Sequence, residues 1–282
     1  MRLLGSLVLF TLSASASPAV VEQAGALYLR TDYQDSLHLL AQDPTPDADS
    51  YLLTGKNYFM LGEYKRAIEF FEKAVVLAPH ESDYELWLAR AWGRRAETSG
   101  WFAAAIQASK ARQHFERAVA LDQRNREAKN DLFDFYLNAP GFLGGGIDKA
   151  EGIAKSIANE RPPEAEFEQA QIADRRKDFA AAEAHLRRAM ELAPAEPGRV
   201  VDLARYVAKR GRFAESDALF EQARKLAPGV ARVEFAEARV DVENHRKLEQ
   251  ARGLLQQYLR AKLTPDDPPR EEAEKLLRRA GG

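Results

Sequence analysis

A six-position pattern of small and large side chains recurs every 34 residues along this chain. In the second half the pattern begins at Lys177 and returns one period later at Gly211, and an upstream stretch beginning at Gly62 fits the same spacing. The matched positions are Lys177, Phe179, Ala182, Leu186, Ala189 and Pro194; Gly211, Phe213, Ser216, Phe220, Ala223 and Pro228; and Gly62, Tyr64, Ala67, Phe71, Ala74 and Pro79. Such a period predicts stacked helix–turn–helix units rather than one globular core.

The most complete unit spans residues 48–81. Its first predicted helix carries Tyr51, Thr54, Gly55 and Tyr58, and its second runs from Tyr64 to a stop at Pro79. This unit resembles the tetratricopeptide repeat, and the resemblance extends over six units in residues 48–264. It implies an all-α fold, a right-handed α-solenoid of stacked antiparallel helix pairs, and a platform that binds other proteins. Small residues should be buried where the paired helices approach most closely. These residues are Ala67, Ala118 and Ala182.

Weaker helical segments flank the six units. Residues 17–47 are expected to form a degenerate opening unit, and residues 265–282 a capping helix that covers the last apolar face. Asp267 is the predicted N-cap of that helix, with Pro268 at its first position and Leu276 on its apolar side.

The first sixteen residues have the layout of a signal peptide. Arg2 is followed by an apolar run from Leu3 to Leu12, and Ala14 and Ala16 have the Ala-x-Ala spacing of a cleavage site. We expect cleavage after Ala16 and export to the periplasm or beyond. The alternative is an uncleaved anchor, although the apolar run is shorter than the roughly 20 residues that span a bilayer. The chain has no cysteine, which excludes disulfides and thiol chemistry.

Units two and three depart from the pattern by carrying extra residues between their two helices. Ten residues are added in unit two, at about 97–107, and five in unit three, at about 138–146. Both inserts are expected as loops on one edge of the stack, where aromatic residues could anchor a partner or simply pack on each other. The candidate anchors are Trp101, Phe102 and Phe142.

The inner face of the stack is the second candidate site. In this fold, positions 9 and 13 of each unit point into the concave groove. These twelve concave positions are Lys56, Met60, Arg90, Arg94, Asp134, Asn138, Gln171, Arg175, Arg205, Lys209, Arg239 and Glu243. Seven are basic and two acidic, which predicts a continuous positive strip that attracts anionic groups. The alternative is that these side chains only solvate the surface. The carboxylate clamp of some family members is not expected, because position 5 is mostly apolar.

The rest of the sequence shows no motif for binding a metal, a phosphate group or nucleic acid. The five histidines are scattered, so neither a metal site nor a cofactor is expected. The run Gly144-Gly145-Gly146 lacks the lysine-serine or lysine-threonine pair of a phosphate loop. The formal net charge of −2 and the absence of a reading motif argue against nucleic acid.

The leading interpretation is therefore a non-enzymatic, exported scaffold that binds a peptide or protein in its concave groove. Two alternatives remain open at this stage. One is a carrier of an anionic envelope polymer or lipid head group, and the other is a self-assembling structural module. An enzyme would need a catalytic constellation that the sequence does not contain.

Overall fold

A computed structural model describes residues 18–281 of the chain. Within that range the chain forms fifteen α-helices and one 3-10 turn, with no strand. The predicted signal peptide, residues 1–16, lies outside the described residues. The helices are α1 (Pro18–Leu29), α2 (Tyr33–Leu40), α3 (Ala48–Met60), α4 (Tyr64–Leu77), α5 (Ser82–Glu97), α6 (Trp101–Leu121), α7 (Arg126–Asn138), α8 (Ile147–Ile157), α9 (Pro162–Arg175), α10 (Phe179–Leu192), α11 (Pro197–Lys209), α12 (Phe213–Leu226), α13 (Ala231–Glu243), α14 (Leu248–Arg260) and α15 (Arg270–Ala280).

The helices stack as consecutive pairs, which confirms the predicted all-α solenoid. Helices α3 and α4 form unit one, and each following pair forms the next unit, up to α13 and α14 in unit six. First helices of neighbouring units pack against one another, as α3 does on α5 and α11 on α13. The first helices therefore form an inner layer, and the second helices lie outside it. Among the described helices, none is both long and apolar enough to cross a membrane.

The backbone passes through the left-handed region at the same point of four repeats. Gly62 and Gly211 have a φ of 75°, while Lys177 and His245 have a φ of 65° and 54°. A left-handed residue just past a helix lets the following N–H groups bond back to the last carbonyls. The repeat is thus present in the backbone even where another residue replaces the favoured glycine.

Close approach of the two helices depends on small residues and on one aromatic ring. Ala67, Ala118 and Ala182 are completely buried, as predicted. Phe71 is also completely buried and lies over Gly55 of the partner helix, where an added Cβ would sit only 2.5 Å from its ring. The ring also faces Trp87 of the next unit, with centroids 6.1 Å apart. Unit one is therefore locked to unit two through Phe71.

Replacing Ala67 with leucine is expected to lower the free energy of unfolding by about 1–3 kcal/mol, because added methylenes overpack a closed helix contact. Urea unfolding followed by circular dichroism measures the change. Ala180→Leu is the matched control, since Ala180 is exposed on the outer helix α10. Equal stability of the two variants would show that Ala67 does not lie at a tight contact.

The two inserts differ in structure from the expected loops. Most of the unit two insert is helical, because α6 begins at Trp101 and extends over 21 residues. The unit three insert forms a 3-10 turn, Gly141–Leu143, which packs against α6. Gly145 is required in this turn, since an added Cβ would lie 1.9 Å from the Ala139 carbonyl oxygen.

The last helix begins later than the sequence predicted. Helix α15 starts at Arg270, and Asp267 is not its N-cap. Asp267 instead accepts hydrogen bonds from the backbone N–H and the hydroxyl of Thr264, at 2.9 and 3.0 Å. These bonds close a turn before the two prolines, so the helix cannot begin there. Helix α15 nevertheless buries Leu276, as expected of an end helix that covers an apolar face.

Candidate functional site

The inner helices bring the concave positions together around two cavities. The proximal cavity, of about 1210 Å³, is lined by those of units one to three: Lys56, Met60, Arg90, Arg94, Asp134 and Asn138. The distal cavity, of about 650 Å³, is lined by Asn138 and by five from units four to six: Gln171, Arg175, Arg205, Lys209 and Glu243. Arg239 lies beside Arg205 in a smaller neighbouring pocket. Eleven of the twelve concave positions thus line one of the two cavities, and Arg239 lines the neighbouring pocket.

The C-terminal segment returns to the first units across the proximal cavity. Residues Thr264–Asp267 line that cavity together with Tyr28 of α1 and Trp87 of α5. The superhelix thus curves far enough to place its two ends around one space. The pKa of Tyr28 reflects this proximity. Burial is the main cause that raises it, and the charge of Asp266 raises it as well.

The concave wall carries both positive and negative side chains, which corrects the prediction of a continuous positive strip. Arg90 binds Asp131 at 2.5 Å and Glu127 at 2.9 Å, and Lys209 binds Asp174 at 3.0 Å. Arg94 is paired with Glu97, and Arg239 with Glu272. These carboxylates come mostly from other positions of the inner helices, including positions 2 and 6. Counting positions 9 and 13 alone therefore left out the groups that neutralise them.

Two cations of the wall keep their charge available. Arg175 and Arg205 are exposed, line the distal cavity and form no ion pair with any residue between 18 and 281. Lys56 also has no ion pair in that range, but its ammonium lies 4.8 Å from the centroid of the Trp87 ring, and burial lowers its pKa. The available positive charge is therefore concentrated in units four and five.

Two carboxyl groups of the wall titrate near neutrality. Burial raises the pKa of Asp134 to about 6, and the nearby charge of Asp131 raises it further. Burial also raises the pKa of Asp202 to about 6, against the opposing effect of Arg199 and Arg205. Both groups gain protons below about pH 6, so the wall becomes less negative in mildly acidic solution.

The distal cavity also offers apolar surface. Phe167 of α9, Tyr206 of α11 and Val240 of α13 line it beside the two available arginines. A sequence search for aromatics at concave positions would have missed Phe167 and Tyr206, because they lie at positions 5 and 10. The cavity can therefore hold a segment that presents both apolar and acidic side chains.

The aromatic residues of the inserts are exposed but lie outside both cavities. Trp101 is 71 % exposed, Phe102 79 % and Phe142 75 %. The Trp101 and Phe102 rings pack edge to face at the start of α6, with centroids 4.7 Å apart. The unit three insert borders the proximal cavity through residues 138–140 and Leu143. The three exposed rings line neither cavity and therefore form a separate surface.

The histidines support structure where they have partners. His114 Nδ1 lies 2.6 Å from a carboxylate oxygen of Glu85, and His185 Nδ1 lies 2.6 Å from Glu166. Over residues 18–281 no group of histidine, aspartate and glutamate side chains has a geometry that could hold a metal ion.

Comparison with known proteins agrees with this architecture. Residues 48–81 match the sequence model of the tetratricopeptide repeat. A tetratricopeptide repeat protein from Parabacteroides merdae is similar over 94 % of this chain and 98 % of its own, with 14 % identity and a TM-score of 0.60. A thermophilic repeat protein from Thermus thermophilus is similar over 71 % of this chain and 98 % of its own, with 18 % identity and a TM-score of 0.52.

A third similar structure belongs to an assembly. It is the APC/C hetero-tetramer Cut9–Hcn1, where the similarity covers 95 % of this chain and 50 % of the other, with 17 % identity and a TM-score of 0.50. No curated protein matches the sequence.

Fold and concave wall together define an α-solenoid of stacked helix pairs. The chain has the fold of tetratricopeptide repeat proteins, and residues 48–81 match that repeat by sequence as well. Proteins of this kind generally act as non-enzymatic scaffolds for other proteins.

Proposed function

We propose that this protein is a non-enzymatic, exported scaffold that binds a segment of another protein along its concave wall. The binding segment is held most strongly at the distal cavity. The observation that carries this proposal is the pair Arg175 and Arg205, two exposed guanidinium groups without an ion pair in the described chain, next to an apolar lining.

The distal cavity favours an extended or helical segment with acidic side chains near apolar ones. Each arginine can donate charge-assisted hydrogen bonds to a carboxylate, and Phe167 and Tyr206 can pack on an apolar neighbour. Glu243 lines the same cavity and forms no ion pair within residues 18–281, so it favours a segment that also carries a basic residue. The expected partner is therefore a protein segment that carries acidic, basic and apolar side chains.

The mixed charge argues against a carrier of an anionic polymer. A uniformly negative chain that followed the wall would pass from Arg175 and Arg205 to the proximal cavity, whose lining has seven acidic and three basic side chains. Repulsion from these carboxylates opposes such a path. Export is supported by the sequence alone, through the Leu3–Leu12 run and the Ala14-x-Ala16 spacing.

Reversing both charges, by Arg175→Glu with Arg205→Glu, is expected to lower partner capture at least about tenfold. Loss of even one charge-assisted hydrogen bond costs about 1.5–3 kcal/mol, and 1.4 kcal/mol corresponds to tenfold. Immobilised protein is incubated with an extract of the producing cells from which lipids and glycans have been removed, and bound proteins are quantified by mass spectrometry.

Arg188→Glu is the matched control, since Arg188 lies on the outer helix α10. Arg90 is a poor choice for reversal, because its loss would also leave the half-buried Asp131 without its partner. Capture by the double variant at the wild-type level, with unchanged circular dichroism, would remove the concave wall as the binding site. Capture that depends on Trp101 instead would indicate the insert edge.

A further inference from the structure

Four basic residues surround one small pocket without being fully neutralised. Arg124, Arg126 and Lys129 form no ion pair within residues 18–281. Arg161 has one ion pair, with Glu164 at 3.5 Å, and its Nη1 atom is buried without a hydrogen-bond partner. Three basic side chains without an ion pair, and a fourth that is only partly paired, thus concentrate positive charge at one pocket.

The pocket lies where two connections between units meet. It has a volume of about 240 Å³ and is lined by the four basic residues, with Glu160 as an acidic neighbour. One connection leads into α7, which begins at Arg126, and the other leads into α9. The Asn125 side chain caps the Ala128 N–H of α7, and the N–H groups before it have no intrahelical partner, so that end of the helix also favours an anion. The pocket shares no lining residue with either concave cavity.

Lys129 gives the strongest evidence for a ligand. It is only 9 % exposed, and its ammonium has neither a hydrogen bond nor an ion pair in the described chain. The Nη1 atom of Arg161 is buried without a partner, and burying a charged donor unpaired is costly, so the site gains stability from a counter-ion. Glu168 does not supply it at neutral pH, because burial raises the pKa of its carboxyl to about 8, so that the group keeps its proton.

We propose that this pocket, which we call the anion pocket, binds a phosphate group, carried by inorganic phosphate or by a small phosphate monoester. Arg124, Arg126 and Arg161 offer forked guanidinium donors, and Lys129 offers an ammonium from the floor of the pocket. Donors from several directions suit a tetrahedral oxyanion better than a planar carboxylate. The site is independent of the concave wall and of the function proposed for it.

Isothermal titration calorimetry with sodium phosphate and with glycerol 3-phosphate, each at constant ionic strength, tests the proposal. The intact protein should bind at least one of them saturably at millimolar concentration or below, and the tighter ligand identifies the source of the phosphate group. Arg124→Gln with Arg126→Gln should weaken binding at least tenfold. Both residues are exposed, so this variant should fold normally.

Lys129→Met should abolish binding, and Lys262→Met, the same change at an exposed lysine, should not alter it. Arg175→Glu with Arg205→Glu should leave phosphate binding intact, which separates this proposal from the concave-wall proposal. Absence of saturable binding to either ligand at concentrations up to roughly 10 mM would overturn the anion pocket. Binding that sodium chloride reproduces at equal ionic strength, or that the double glutamine variant retains, would overturn it as well.

Discussion

Replacing Glu168 with glutamine is expected to raise the free energy of unfolding at pH 7 by on the order of 3 kcal/mol. Glu168 is 1 % exposed, and neither of its carboxylate oxygens has a hydrogen-bond partner in the described chain. Burial, followed by the nearby charge of Glu164, raises its pKa from 4.5 to about 8. Glutamine keeps the shape of the side chain and never ionises.

The sign follows from the protons bound in each state. Between pH 4.5 and about 8 the folded protein holds a proton on Glu168 that the unfolded chain has lost. Stability therefore falls as the pH rises through that range, and the wild-type protein loses about 1.4 kcal/mol per pH unit there. Glu168→Gln removes this loss. Below about pH 4.5 both states are protonated, so the two proteins should become equally stable.

Urea unfolding of both proteins at pH 4, 7 and 8.5 measures the effect. The control is Glu72→Gln, because Glu72 is exposed on α4 and should show no such pH dependence. A glutamine variant that is less stable than the wild type at pH 7 would show that Glu168 is ionised and bound to Lys129 or Arg161. In that case Lys129 or Arg161 would already have a counter-ion, and the anion pocket would not need a ligand to neutralise it.

Phe71→Ala is expected to lower the free energy of unfolding by about 3–5 kcal/mol. The Phe71 side chain is completely buried between Gly55 and Trp87, and its loss leaves a cavity at the junction of units one and two. Each unit of a solenoid contacts only its neighbours, so the damage should stay local. Hydrogen exchange should accelerate in α3 to α6 more than in α11 to α14.

Phe70→Ala serves as the control. Phe70 lies on α4 next to Phe71, but it is only partly buried and stacks on Tyr58 of α3. It should cost less stability than Phe71→Ala in urea unfolding. An equal acceleration of exchange along the whole chain would show that the protein unfolds as one cooperative core rather than as linked repeats.

The sequence was sufficient for the fold because the repeat is a local signal. Gly211 and Ala182 recur at fixed offsets, and each offset corresponds to a turn or a close helix contact that the structure contains. The unit two insert was harder. Trp101 and Phe102, which follow Gly100 within it, suggested a loop, although the alanines after them have high helix propensity and indicate a longer α6.

The charge of the wall could not be predicted in the same way. Arg90 is neutralised by Asp131, which lies 41 residues later, and only the stacking of α5 on α7 brings the two together. The positions of Arg175 and Arg205 were predicted from the register. Their lack of ion pairs depends on the neighbours that the superhelix provides, and this is a property of the folded chain.

Site-specific photocrosslinking in the producing cell tests the concave-wall proposal most directly. A photoreactive amino acid is placed at position 171 in the distal cavity, at position 101 on the insert edge, or at position 72 on the outer helix α4. The proposal predicts a protein adduct from position 171 that Arg205→Glu strongly reduces, and no adduct of that size from position 72. An adduct formed only from position 101, or equally from all three positions, would contradict it.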